Sequence, residues 1–146
     1  MQEWLFLVRK HIGRRIVGIL AVCLFLTAGG CAEKIDRTEK LRDIEFTVIE
    51  KEEIPGELKE RIAKQREKGF KISYADQGKL YIAKGYGARP TSGYSIEVKQ
   101  LYETENAVCI QTELTGPSKE EKIAEKQTYP YIVVKMEWID KNIVFE

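Results

Sequence analysis

Few residues of this chain could carry out hydrolytic chemistry. Its only histidine, His11, lies within the first 30 residues, which have the layout of a signal peptide. The residues that follow therefore offer no imidazole to a serine or cysteine triad, or to a histidine zinc site. We expect no metal and no other cofactor.

Three glutamates on predicted strands could supply a general acid and a general base: Glu97, Glu103 and Glu113. No catalytic motif surrounds them, and exposure on a strand face is the usual state of glutamate. We therefore expect the domain not to be an enzyme, and we keep a carboxylate-dependent hydrolase as an alternative.

Recognition of another protein is the chemistry that the sequence favours instead. Residues 85–93 are expected to form a shaped loop, because its glycines permit backbone angles that other residues avoid and Pro90 fixes φ; the loop leads into an alternating strand. Tyrosine offers a large contact area with few rotors to freeze, and proline lowers the entropy lost on ordering a loop. In the alternative interpretation, Tyr94 and Tyr131 are core side chains and the prolines only form turns. The candidate partner-binding residues are Tyr86, Arg89, Pro90, Thr91, Ser92, Gly93, Tyr94, Tyr129, Pro130 and Tyr131.

Two stretches of the chain resemble the C-terminal domain of the PrcB family of protease-complex subunits. Residues 83–98 contain the run Arg-Pro-Thr-Ser-Gly-Tyr-Ser, and residues 129–135 begin with Tyr-Pro-Tyr and continue as an aliphatic strand. The resemblance implies that the partner is a protein, either a protease or another subunit of an extracytoplasmic protease complex. It also implies a scaffolding or stabilising role for this chain.

A second similarity concerns residues 89–94 alone. They are similar to the Asn-Pro-Thr-Thr-Gly-Tyr loop of chagasin-like cysteine peptidase inhibitors, with Arg89 in place of Asn and Ser92 in place of the second Thr. The chain has Tyr-Pro-Tyr where those inhibitors have Arg-Pro-Trp. This similarity implies an alternative function, direct inhibition of a peptidase by the loop of residues 89–94.

The first 30 residues show the three zones of a signal peptide: a basic zone, an apolar run over residues 16–26, and small residues before Cys31. The apolar run is shorter than the roughly 20 residues that a membrane-spanning helix needs. Small residues directly before a cysteine resemble a bacterial lipobox, which implies cleavage before Cys31 and lipidation of its thiol. Cleavage by ordinary signal peptidase and an uncleaved short anchor are the alternatives. With lipidation, the chain is held on the extracytoplasmic side of the membrane.

The charge balance argues against nucleic acid as a partner. The first 30 residues hold four of the 24 basic and one of the 23 acidic side chains, which leaves 20 basic against 22 acidic residues in the rest. A nucleic-acid-binding domain needs a basic patch or stripe, and no such stretch occurs.

Hydrophobic alternation predicts a mainly β domain of the α+β kind over residues 44–146, after a charged tether over residues 31–43. We expect about seven antiparallel strands in a sandwich or partly open barrel, with one amphipathic helix, residues 54–68, between the first two strands. The first strand is expected to bury Ile44, Phe46 and Val48. A later strand has the expected inward row Ile132, Val134, Met136 and Trp138.

Strand direction also predicts where the loops lie. If consecutive strands alternate in direction, residues 85–93 and residues 116–130 emerge at the same end of the domain, and the tether leaves from the opposite end. The candidate partner-binding residues would then face away from the membrane.

Overall fold

The computed structural model describes residues 39–146. The predicted signal peptide, residues 1–30, and the predicted lipidation site Cys31 lie outside the described residues. Over residues 39–146, no helix is both long enough and apolar enough to cross a membrane.

The described chain contains eight strands, one α-helix and one short 3₁₀ helix. In chain order they are β1 (Arg42–Asp43), β2 (Thr47–Val48), the 3₁₀ helix (Lys51–Glu53), α1 (Gly56–Gln65), β3 (Phe70–Asp76), β4 (Lys79–Gly85), β5 (Ser95–Glu103), β6 (Ala107–Thr115), β7 (Tyr131–Glu137) and β8 (Asn142–Phe145). The strands form two four-stranded sheets, in the orders β1-β5-β6-β8 and β2-β7-β4-β3. Neighbours are antiparallel except β6 and β8, which run parallel. The mainly β prediction is confirmed, and the sheets do not close into a barrel.

One core lies between the two sheets. The first sheet contributes Leu101, Val108 and Ile110, and the second contributes Leu80, Ile82, Val134 and Met136, while Ile44 belongs to the connection between β1 and β2. Val108 and Val134 are fully buried. Removal of this apolar surface from water is the main force that holds the sheets together.

A second core lies on the outer face of the second sheet, where α1 packs. Ile54, Leu58 and Ile62 recur at fourfold spacing and contact Ala83 and Val133, which face away from the inter-sheet core. As a result β4 and β7 are buried on both faces. This explains why Ile132, Val133 and Val134 are buried in succession instead of alternating with exposed residues.

The predicted first strand, residues 44–48, is wrong. The chain instead pairs with β5 at Arg42–Asp43 and with β7 at Thr47–Val48, so it crosses from one sheet to the other within six residues. Only Ile44 of the expected inward row is buried, whereas Phe46 is 37% and Val48 is 54% exposed. Alternation fails because the backbone changes sheet between the two short strands. The helix therefore follows a second short strand, and the strand count is eight.

Trp138 is also a correction, because it is 50% exposed and not part of the core. β7 ends at Glu137, and the backbone N–H of Trp138 donates to the carbonyl of Gly78 in the β3–β4 turn. The apolar alternation of β7 extends in the sequence to Trp138, one residue past the end of the strand, so the opposite sheet does not cover this side chain.

Candidate partner-binding site

The first loop (residues 85–93) and the second loop (residues 116–130) meet at one end of the sandwich. Arg89 and Thr128 form an isolated antiparallel bridge, with N···O distances of 2.8 and 2.9 Å. The Thr128 hydroxyl also donates to the carbonyl of Thr91 at 2.6 Å. At Ser92, the backbone N–H donates to the Ala124 carbonyl at 3.0 Å, and the hydroxyl accepts from the Ala124 N–H at 2.8 Å. The two loops thus lie at the same end, as strand direction predicts.

Gly93 allows the two loops to approach closely. Its φ of +87° lies in the left-handed region, and a Cβ placed there would lie 2.7 Å from the Cβ of Pro117 and 3.3 Å from Ile123 Cγ2. Any side chain at this position would therefore push the second loop away. Gly93 therefore shapes the surface formed by the two loops through this close packing.

The turn that follows α1 supports the first loop from behind. The Ala88 N–H donates to the Glu67 carbonyl at 3.0 Å, and a Cβ on Gly87 would lie 3.0 Å from the same oxygen. The Arg66 guanidinium carbon lies 4.6 Å from the centre of the Tyr129 ring. Three segments that are distant in sequence are therefore fixed against one another.

The four tyrosines of the predicted site are all half-buried: Tyr86, Tyr94, Tyr129 and Tyr131. The Tyr86 hydroxyl forms a 2.6 Å hydrogen bond with the hydroxyl of Thr112 on β6, so this tyrosine joins the two sheets. Tyr131 packs against Phe70 with a ring-centre distance of 6.1 Å, and burial, assisted by the negative charge of Glu52, raises the pKa of its phenol. Because each of these tyrosines is half-buried, part of the side chain packs in the fold and part stays accessible to solvent.

The side chain of Arg89 has one hydrogen-bond donor that finds no acceptor within the described residues. Its guanidinium carbon lies 5.9 Å from the centre of the Tyr94 ring, while its Nε is buried and has no hydrogen-bond acceptor in residues 39–146. Leaving a buried donor without an acceptor costs roughly 1–3 kcal/mol. Beside it, Pro90 is exposed.

A cleft of about 340 Å³ opens beside the loops, between β5 and β2. Tyr94, Pro130 and Tyr131 of the predicted site line it, together with the aliphatic side chains Val48 and Ile96. Sequence reasoning missed the contribution of Val48 because the alternation of residues 44–48 suggested that it was in the core. Its exposure follows from the change of sheet.

The three glutamates of the alternative hydrolase do not lie together. Glu97 and Glu113 are exposed, and both form salt bridges with Lys99, at 2.7 and 2.9 Å. Glu103 lies at the other end of β5. Hydrogen bonds from Lys141, and to a smaller extent from Arg42, lower the pKa of its carboxyl. In the described part of the chain, no group of three or more histidine, cysteine or carboxylate side chains could hold a metal ion.

Residues 80–137 match the protein-family model described as PrcB C-terminal. The match begins in β4, ends in β7 and contains both loops. No curated protein and no solved structure gives a significant match to this chain. Residues 80–137 are therefore similar to the PrcB C-terminal family, as the resemblance of the two stretches predicted.

Proposed function

We propose that this chain is a non-catalytic, lipid-anchored extracytoplasmic subunit that binds another protein of an envelope protease complex and scaffolds or stabilises it. The binding surface is the one formed by the first and second loops. The observation that carries the proposal is the bridge between Arg89 and Thr128, which turns two loops into one braced surface bearing the half-buried tyrosines.

The bracing favours binding because a preordered surface loses little conformational entropy when a partner docks. Tyrosine and arginine are also, with tryptophan, enriched among the residues that contribute most to binding at protein interfaces. Arg89 is half-buried, so the accessible part of its guanidinium could donate to a carbonyl or carboxylate oxygen of the partner.

The direction of the chain is compatible with this role. β1 pairs with Tyr102 and Glu103, whereas the first loop lies before Ser95, at the opposite end of β5. Nine residues of strand separate those ends by about 26 Å. The chain therefore enters the described domain at the end opposite the two loops.

Direct inhibition of a peptidase by residues 89–94 is a second candidate. It is favoured by the hydrogen bonds that hold Thr91 and Ser92 against the second loop, since a rigid loop resists cleavage. Incubation of the purified chain with papain-like peptidases tests it. Undiminished peptidase activity at micromolar concentrations of the chain would remove this candidate.

Photocrosslinking in native membranes tests the main proposal. A photoreactive phenylalanine analogue replaces Pro90, which is exposed on the first loop, and the matched control carries it at Trp138, which is exposed at the other end of the domain. We expect position 90 to capture a protease or a protein bound to one, and position 138 not to capture it. Equal capture from both positions, or capture of nothing by position 90, would contradict the proposal.

A further inference from the structure

One edge of β5 is only partly covered. β6 pairs along the whole of β5 on one side, but on the other side β1 pairs only with Tyr102 and Glu103. The Ile44 N–H extends this contact to the carbonyl of Leu101. Among residues 39–146, no strand pairs with the first half of β5 on that side.

The register identifies which backbone groups point to the open side. The carbonyl of Ile110 accepts a hydrogen bond from the N–H of Glu146, so Ile110 points its backbone groups away from β5. Because these directions alternate along an antiparallel strand, Thr112 and Leu114 also point away from β5. Their register partners are Val98 and Ile96, whose backbone groups must then point away from β6. No backbone hydrogen bond outside the ladders reaches them within the described range.

The cleft lies directly beside this open edge. Val48, which is 54% exposed, lines it from β2, and Ile96 lines it from β5. Its charged lining residues are Glu50 and Lys51, which have opposite signs, so the cleft as a whole favours an uncharged occupant. At the edge itself, Ile96 and Val98 present two N–H donors and two carbonyl acceptors, whose spacing matches that of an extended peptide backbone.

We propose that an extended segment of the partner protein, with apolar side chains at alternate positions, adds as a strand to β5 at Ile96 and Val98. This inference rests on the proposed function, because the cleft shares Tyr94, Pro130 and Tyr131 with the loop surface. In this mode of recognition, backbone hydrogen bonds supply the affinity and the pocket beside the edge selects the side chains.

The length of the added strand is limited. A β-bulge interrupts the pairing of β5 between Val98 and Gln100, and β1 covers the edge from Leu101 onward. Bulges and short covering strands are common means of preventing uncontrolled pairing at sheet edges. The open part therefore accepts a segment of only a few residues.

Residue-resolved hydrogen exchange on the full chain, purified in detergent, tests the inference. The probe is the hexapeptide acetyl-Thr-Val-Thr-Val-Thr-Val-amide, used with two copies that are N-methylated either at every valine or at every threonine. We expect the hexapeptide to slow amide exchange at Ile96 and Val98. Only one edge of the peptide pairs with β5, so the copy that is methylated along that edge should bind at least about tenfold more weakly than the parent. The other copy should bind like the parent.

Two exposed valines provide matched variants. Val48→Lys should weaken hexapeptide binding by about tenfold or more, because it introduces a charge into the cleft. Val144→Lys changes an exposed valine on β8, at the opposite edge of the same sheet as β5, and should leave binding unchanged.

Three results would overturn the inference. The first is unchanged exchange at Ile96 and Val98 at millimolar hexapeptide, and the second is equal binding of both methylated copies. The third is protection of these amides by raising the concentration of the chain alone, which would assign the edge to a second copy.

If position 90 captures a protease subunit while any of these results is obtained, the proposed function stands and strand addition fails. If position 90 captures nothing, the proposed function itself fails.

Discussion

At the scale of single residues, Arg89 is the position where stability and binding are expected to conflict. Replacing it by methionine removes the buried Nε that has no acceptor in the described chain while keeping an apolar stem of similar length. We expect Arg89→Met to leave the free energy of unfolding unchanged or to raise it by about 1 kcal/mol. Capture of the partner should fall by about tenfold, because a charged donor is lost from the interface.

Urea unfolding and crosslinking yield from position 90 measure the two effects. Arg61→Met is the control, because Arg61 is exposed on α1 and pairs with Glu57. A large loss of stability in Arg89→Met, with capture unchanged, would contradict a role in binding.

Gly93 provides a second residue-scale prediction. Gly93→Ala forces a left-handed backbone on alanine and places its Cβ against Pro117. Gly78→Ala imposes a similar φ, but its Cβ meets nothing within 4 Å, so it isolates the backbone cost of about 1–2 kcal/mol. We expect Gly93→Ala to lower the urea midpoint more than Gly78→Ala. Equal losses would show that the approach of the two loops contributes nothing.

Glu103 makes stability depend on pH. Hydrogen bonds from Lys141 and Arg42 lower its pKa from the usual 4.5 in the folded state, so its contribution is complete above about pH 4.5. The contribution is lost as the pH falls through the lowered folded pKa. Glu103→Gln should therefore be less stable than the native chain at pH 7, and this difference should shrink at about pH 3.

Urea midpoints at both pH values measure this difference, and Glu120→Gln, which removes an exposed carboxylate, is the control. A gap that stays constant between pH 7 and pH 3 would show that Glu103 acts through packing and not through charge.

The meeting of the two loops at one end could be predicted, because glycine permits turn conformations, proline fixes φ, and strand direction places both loops at that end. The sequence could not show against which residues each tyrosine packs. Tyr86 bonds to Thr112, and Tyr131 packs on Phe70, so these environments depend on strands far away in the chain. The cleft was missed for the same reason, since the exposure of Val48 follows from the change of sheet, which depends on the pairing of β2 with the distant β7.

At the scale of elements, α1 is expected to stabilise both its own face of the sheet and the loop surface. Leu58 is fully buried against the outer face of the second sheet. Leu58→Ala should lower the free energy of unfolding by about 2–5 kcal/mol, because it leaves a cavity under the helix. Arg61→Ala on the exposed face should change it by no more than about 0.5 kcal/mol.

Thermal or urea unfolding measures both variants. Faster amide exchange at Ala88 in Leu58→Ala is a further expected result, because the Ala88 N–H bonds to the turn that follows α1. If Leu58→Ala cost no more than Arg61→Ala, the helix would not be part of the core.

Alternation predicted most elements well, with β3 to β7 in their expected places. It failed over residues 44–48 because a period of two shows which side chains share a face, but not where the backbone leaves one sheet for another. It could not show that β7 is buried on both faces, since that depends on a helix about 70 residues earlier in the chain.

At the scale of the whole molecule, the family match is smaller than the folding unit. Of the eight buried residues of the core under α1, only Ala83 and Val133 lie within residues 80–137. The fragment of residues 80–137 should therefore show no cooperative unfolding transition, whereas residues 39–146 should show one. Circular dichroism during urea titration measures this, and a cooperative transition in the short fragment would contradict it.

The two-residue ladders of β1 and β2 have a mechanical consequence. Each ladder contains only two residue pairs, and on β1 the backbone N–H groups of Leu41 and Ile44 extend it by one hydrogen bond at either end. Tension applied to the chain before Leu41 would therefore peel β1 away before the sandwich opened. Peeling would lengthen the uncovered border of β5 toward Glu103. Tension on the preceding chain would then enlarge the open edge of β5, where we propose that the partner segment adds, while leaving the rest of the domain intact.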